Sequence, residues 1–178
     1  MLKVIMEGKF KSVMSSSFKI REATPGDATA MAALHVTTFN ETHGPGPSFE
    51  VRKWQWEKAF QDDNEWFCFV VQDKDGNLVG FAKGQRYYHS DIPGFSGELN
   101  KIYLLRKYHK LGIGRQLICK VANEFAKRGI SSMLLFGDAN NPSNAFYEKM
   151  GAEKLFAKNG EFHGGYGWKD LQKLLSTC

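Results

Sequence analysis

A mixed α/β sheet covered by helices on both faces is the fold class that this 178-residue chain predicts. Three observations predict it. Strand-like and helix-like segments alternate through the middle of the chain, whereas paired strand signals with tight turns stand towards both ends. The length allows one buried core, at roughly 100–200 residues per domain. No repeat, low-complexity tract or linker divides the chain, so 18–178 reads as one domain behind an extension at 1–17.

The elements follow in order. Residues 1–17 end in Ser15-Ser16-Ser17 and show no stable period. Phe18–Arg21 is a short strand. Thr24-Pro25-Gly26-Asp27 turns into a helix over Ala28–Phe39, with Asp27 as its N-cap and Met31, Leu34, His35 and Thr38 at helical spacing. The Gly- and Pro-rich run Thr42–Pro47 is a loop, and a second helix spans roughly Phe49–Phe60. Trp66–Val71 is continuously apolar and reads as a buried strand. Asp75-Gly76-Asn77 is a hairpin turn leading to a strand from Leu78 to about Tyr88. After a loop at His89–Gly97, Glu98–Leu105 is a strand.

Gly114–Arg128 is the clearest helix. Leu117, Ile118, Val121, Ala122 and Phe125 fall on one face, and Gly129 stops it. Ser131–Phe136 is a strand. Asn141-Pro142 opens a helix that Gly151 ends, with Asn141 as cap and Pro142 at the first helical position. Strands near Ala152–Phe156 and Phe162–Trp168 close the pattern.

Composition limits the function classes. The apolar share is 42%, the charged share 24% and the aromatic share 13%, which suits a folded chain and argues against disorder. The net charge is +5 and the pI about 9.0, so an anionic partner is favoured. The densest basic cluster is Lys101, Arg106, Lys107, Lys110 and Arg115, gathered around one turn. That fits a compact polyphosphate better than a nucleic-acid duplex, which asks for a stripe. Cys68, Cys119 and Cys178 form no C-x-x-C pair, which argues against a disulfide framework and a zinc site. Cys68 lies in an apolar run and reads as core. No apolar stretch approaches the ~18 residues of a membrane span, and 1–17 lacks a signal-peptide core. A cytoplasmic protein without metal, membrane or nucleic-acid partner is the expectation.

The sharpest feature is Arg106-Lys107-Tyr108-His109-Lys110-Leu111-Gly112-Ile113-Gly114-Arg115, between a strand and the best helix. The first N–H groups of a helix lack intrahelical acceptors and sit at the positive end of its dipole. Gly112 and Gly114 allow close backbone approach, and Lys110 and Arg115 add charge. The turn matches neither the G-x-x-x-x-G-K-[ST] signature nor G-x-G-x-x-G, because Leu117 stands at the third glycine position. A second constellation runs from Asn140 to Gly151. Taken alone, its Tyr147 reads as a core aromatic with its hydroxyl at the surface.

Together these segments resemble the GNAT superfamily of N-acetyltransferases. The family's phosphate-loop motif, Q/R-x-x-G-x-G/A, lines up as His109-Lys110-Leu111-Gly112-Ile113-Gly114. Its later motif, an Asn-Pro start followed by Asn and then Phe-Tyr-Glu-Lys-x-Gly, matches Asn141 through Gly151. The resemblance covers about residues 18–170 and is specific in the second half, whereas the first half matches only in element order. His109 departs from the usual Gln or Arg and removes one charged contact.

The resemblance implies a mostly antiparallel sheet of about six or seven strands with a splayed central parallel pair. It implies acetyl-CoA as co-substrate, with the pantetheine arm lying between Ile102-Tyr103-Leu104 and the strand at 131–136. The implied contacts are Ile102, Tyr103 and Leu104, the turn residues His109, Lys110, Leu111, Gly112, Ile113, Gly114 and Arg115, and then Asn141, Asn144 and Tyr147. Tyr147 matches a tyrosine placed near the CoA sulfur, where a phenol can protonate the departing thiolate. The implied reaction is direct attack of an amine on the thioester, with a strand N–H near Leu104 stabilising the oxyanion.

Glu98 is the candidate base, through a water, and needs its side chain on the acceptor side. Asp138 is the second candidate, and His43 and His163 are weaker ones. Cys119 lies along the helix rather than at its start, which disfavours a covalent route. Phe39, Glu41, His43 and Tyr88 lie where this superfamily shapes its acceptor pocket. Glu41, Asp91 and Glu98 favour a cationic amine such as a polyamine, against which the net positive charge argues at long range. A non-catalytic acetyl-CoA-binding module and a peptide N-terminal acetyltransferase are the alternatives. Late-strand pairing leaves monomer and homodimer both open.

Overall fold

The computed structural model describes residues 18–62 and 65–178, so the extension expected over 1–17 lies outside it. Seven strands among these residues form one sheet in the order β1-β2-β3-β4-β5-β7-β6. They are β1 (Lys19–Glu22), β2 (Trp66–Gln72), β3 (Leu78–Arg86), β4 (Gly97–Leu104), β5 (Met133–Leu135), β6 (Glu153–Phe156) and β7 (Phe162–Trp168). Every neighbouring pair is antiparallel except β4 and β5.

The helices are α1 (Ala28–His43), α2 (Phe49–Gln61), α3 (Ile113–Lys127), α4 (Asn144–Lys149) and α5 (Leu171–Leu175). Helices α1 and α2 cover one face of the sheet around Met31, Trp56, Val70 and Phe81. Helix α3, with Tyr147 and Met150 at α4 and Leu171 and Leu174 of α5, covers the other. The apolar stripe of α3 is wholly buried: Leu117, Ile118, Val121, Ala122 and Phe125 are all 0% exposed. Burial of each large member contributes roughly 1.5–3 kcal/mol, which is why this helix forms where its sequence pattern places it.

The hairpin at Asp73–Asn77 follows its sequence signal. Asp73 Oδ1 accepts the N–H groups of Asp75 and Asn77 at 3.0 and 2.9 Å, and Gly76 takes φ +85°. Ser48 caps α2 through the Val51 N–H, and Asp170 caps α5.

Several expectations need correction. Asp27 does not cap α1 with its side chain. Its carboxylate turns back to the Thr24 N–H at 2.8 Å and to the Arg21 guanidinium, also at 2.8 Å. That pairing, with Arg21 the largest influence, holds the Asp27 carboxyl down at about 2. Helix α1 runs on to His43, past the expected end at Phe39. Strand β5 keeps three of the expected residues, because its ladders end at Leu135.

Helix α4 begins at Asn144, with Ser143 as cap. Asn141 and Pro142 form a turn before it, in which Asn141 Oδ1 accepts the Ser143 N–H at 2.8 Å. Helix α5 was not expected at all. Cys119 and Cys178 are joined by a disulfide, contrary to the reading of three unpaired cysteines. Their spacing of 59 residues carries no local signal; only the fold of the C-terminus under α3 brings them together. Cys68 is buried core as expected, and burial pushes its thiol up to about 12.

Candidate active site

The parallel ladder between β4 and β5 is short. Gly97 pairs with Met133 and Glu98 with Leu134, and there it stops. Strand β4 continues from Leu99 to Leu104 with β3 on one side only. The gap on its other side opens into a groove of about 120 Å³. Leu99 to Leu104 form one wall, Leu135, Phe136 and Gly137 the other, with Asn141, Ser143 and Tyr147 beyond them. Thr38, Thr42 and His43 of α1 and His109 complete it.

A bulge shapes the β4 wall. Gly84 pairs with Leu99 and Lys83 with Lys101, so Asn100 is the extra residue. A bulge reverses which face the following side chains take. Before it, Leu99 packs in the α3 core, and a Cβ at Gly97 would meet the Phe125 ring at 3.1 Å. After it, Tyr103 packs on the α1 side, with its ring 4.9 Å from His35 and 5.5 Å from Phe81.

Glu98, between Gly97 and Leu99, consequently stands on the α1–α2 side, as a base on the acceptor side requires. It accepts from Gln85 Nε2 at 2.8 Å and Asn100 Nδ2 at 3.1 Å. It is half-buried but does not line the groove itself.

Tyr147 is 7% exposed and reaches the groove from α4. Its ring packs near Tyr166 and Trp168, at 5.6 and 6.4 Å between centroids. Burial pushes its phenol up to about 12, so the hydroxyl stays protonated across the ordinary pH range.

The turn before α3 has the form of an anion cradle. Lys110 and Gly112 both take positive φ, 61° and 81°, and nothing lies within 4 Å of where a Gly112 Cβ would stand. The first helical bond runs from the Gln116 N–H to the Gly112 carbonyl at 3.2 Å. The N–H groups of Ile113, Gly114 and Arg115 therefore precede any intrahelical acceptor. Gly114 serves packing as well, since a Cβ there would press on Phe146 at 3.3 Å.

Side chains around the turn have other partners. The His109 ring nitrogen lies 2.8 Å from the Leu104 carbonyl oxygen and closes the strand end, and the Arg115 guanidinium donates to the Thr177 carbonyl. Asn144 donates to the carbonyls of Asp138 and Ala139, both at 3.0 Å, and does not line the groove.

Of the four expected acceptor residues only His43 lines the groove. Phe39 packs on His43 and under the Arg52 guanidinium. Glu41 is turned away to accept the Arg106 N–H at 3.0 Å, which ties α1 to the end of β4. Tyr88 lies in a second cleft of about 560 Å³, walled by Trp54, Trp66, Gln85 and Lys83, where its hydroxyl donates to Glu65. Asp138 bonds the Asn140 N–H within its own loop, His163 pairs with Glu161, and Cys119 is in the disulfide. None of these three lines the groove.

Sequence reasoning missed Arg52 and Lys83, and it grouped Lys101 with the turn before α3 rather than with the groove wall. Lys83 and Lys101 face each other across β3 and β4, and burial is the main cause that pulls both ammonium groups below the ordinary lysine range. Burial also pulls Arg52 down. His35, buried beside them, is pushed down to about 3 by burial and then by Arg52 and Lys101, so it is neutral at pH 7. For the two lysines the available signal was a cation beside apolar residues in the middle of a strand, Lys83 after Phe81-Ala82 and Lys101 before Ile102-Tyr103.

Among the described residues the sheet parts at its one parallel pair, and the next helix starts with N–H groups that precede any intrahelical acceptor, an arrangement able to take an extended chain beside an anion. Residues 28–152 match the Acetyltransferase (GNAT) family, and the chain belongs to that family. It is 32% identical over 167 residues to the uncharacterized N-acetyltransferase YuaI of Bacillus subtilis, covering 87% of this chain and 95% of that one. The PaiA N-acetyltransferase of Thermoplasma acidophilum, solved in complex with coenzyme A, superposes with a TM-score of 0.67. It is 20% identical, over 85% of this chain and 98% of that one. The spermidine/spermine N-acetyltransferase SpeG of Vibrio cholerae gives 0.62 at 18% identity, over 91% and 98%. Both likenesses show the fold. The chain is thus an acetyltransferase. Among the described residues no helix is long and apolar enough to cross a membrane.

Proposed function

We propose that this chain transfers the acetyl group of acetyl-CoA to a small primary amine, in the cytoplasm, by direct attack within a ternary complex. The observation that carries the reading is Tyr147, whose buried phenol reaches a groove lined by unpaired main chain of β4. The residues present fit the co-substrate: free N–H groups at Ile113, Gly114 and Arg115 for its diphosphate, and the β4 edge at Ile102–Leu104 for an amide-bearing arm. Acetyl-CoA supplies the activated thioester. In this reading Glu98, through a water, takes a proton from the amine, a β4 N–H near Leu104 holds the carbonyl oxygen, and Tyr147 gives its proton to the leaving sulfur.

The test is thiol release from acetyl-CoA with a panel of amines, peptides and polyamines. Release with small amines is expected, and silence with all of them, despite measurable acetyl-CoA binding, would favour a non-catalytic binding module. Glu98→Gln is expected to lower kcat/KM about tenfold or more and to flatten the acid limb of its pH profile. An unaltered profile would remove Glu98 as the base.

The cradle is tested separately. Gly112→Val places a β-branched residue at φ +81°, a conformation such residues essentially avoid, although the space itself is open. Acetyl-CoA affinity by calorimetry is expected to fall about tenfold or more. Equal affinity would mean that this turn does not hold the diphosphate.

A further inference from the structure

On the α1–α2 side of the sheet Arg52, Lys83 and Lys101 gather with the neutral His35; Glu98 is the carboxylate beside the two lysines, and Asp62 and Glu65 line the cleft that Lys83 also borders. Among the described residues none of the three cations is in an ion pair. Arg52 gives one N–H to Gln55 at 3.1 Å, and its buried Nε has no partner. Lys83 stands over the Trp66 ring at 5.0 Å. Glu98 is held by Gln85 and Asn100 rather than by a lysine.

Half-buried cations without a counter-charge are costly, and that cost is offset when an anion joins them. Lys101 alone of the three lines the groove, on the stretch of β4 opposite Tyr147. It is there because of the Asn100 bulge: in an unbroken strand it would share the face of Leu99 and Gly97 and point into the α3 core. The diphosphate cradle lies beyond the end of β4, past Leu104, so these cations are not needed for it.

We propose that the acceptor amine also carries a carboxylate, and that this carboxylate lies against Lys101 with Lys83 and Arg52 behind it. The proposal rests on the acetyl-transfer reading above and narrows it to amino-acid-like acceptors. A polyamine would bring positive charge to the same wall and meet repulsion there. The second cleft, which Lys83 also borders, mixes the rings of Trp54, Trp66 and Tyr88 with the charges of Asp62, Glu65 and Arg86 and offers room for the remainder of the acceptor.

The experiment compares thiol release for a set of L-amino acids, their carboxamides, and spermidine. An amide keeps the amine and the side chain and removes only the negative charge, and its amine is the less protonated of the two, which biases the comparison against the proposal. At least one free acid is expected to exceed its amide in kcat/KM by about 10- to 50-fold. In Lys101→Met, which keeps most of the apolar stem, that acid-to-amide ratio is expected to collapse towards unity. Amides matching or beating the acids, or spermidine outrunning both, would overturn the proposal and leave acetyl transfer standing. No release with any of these compounds, while other amines or peptides do give release, would overturn this proposal alone; silence with the whole panel would remove the acetyl-transfer reading and this one with it. The wild-type comparison decides the matter even if the variant folds poorly.

Discussion

Replacing Tyr147 by Phe is expected to lower kcat by about 100-fold while leaving acetyl-CoA affinity within twofold, as proton donation by a placed side chain contributes roughly 10²–10⁴. The change removes one oxygen. The ring remains packed near Tyr166 and Trp168, so the fold and the groove wall are preserved. Because burial pushes the phenol up to about 12, the hydroxyl is present as donor throughout the accessible range. The loss is therefore expected to be the same at pH 6 and pH 9, a vertical displacement of the whole rate profile rather than a missing limb. Steady-state kinetics with a calorimetric titration separates the two quantities. A variant as fast as the parent would take the proton-donor role away from Tyr147.

Phe125→Ala is expected to have the largest effect on stability. The ring is fully buried, meets Phe67 edge-on at 5.0 Å, and lies where any side chain at Gly97 would collide with it. It thus wedges α3 against the start of β4, where the parallel ladder to β5 is made. Truncation of a buried Phe costs about 3–5 kcal/mol, a large part of the roughly 5–15 kcal/mol that holds a domain folded. In urea the midpoint should fall steeply with little change in slope. Phe156→Ala, at a site 57% exposed, is the control and should stay within about 0.5 kcal/mol. A similar shift for both would mean that Phe125 is not the keystone its packing indicates.

Most of the fold was legible because its signals are local. The stripe of α3, the Asp73–Asn77 hairpin and the apolar run of β2 are each written within one window, and each forms where expected. The left-handed turn before α3 was legible too, since Gly112 and the following helix lie side by side in the chain. Sequence failed where geometry depends on distant partners. Asp27 looks like a cap until Arg21 arrives to claim its carboxylate. Glu41 looks like an acceptor residue until the strand end at Arg106 turns it away. The Asn100 bulge is invisible without the β3 register, and with it goes the placement of Lys101. The Cys119–Cys178 link depends on α5, an element too short to announce itself.

The early end of the β4–β5 ladder gives this sheet a third rim, inside the molecule. Outer rims invite stray chains and are usually blunted; this inner one is walled by helices on both sides, so only a slender, flexible visitor can slot in. Adhesion to such a rim would come from backbone dipoles, which are indifferent to the identity of the residues that bear them. With the donor held there as proposed, side chains along the rim can vary in the service of whatever molecule is to be modified without loosening that grip.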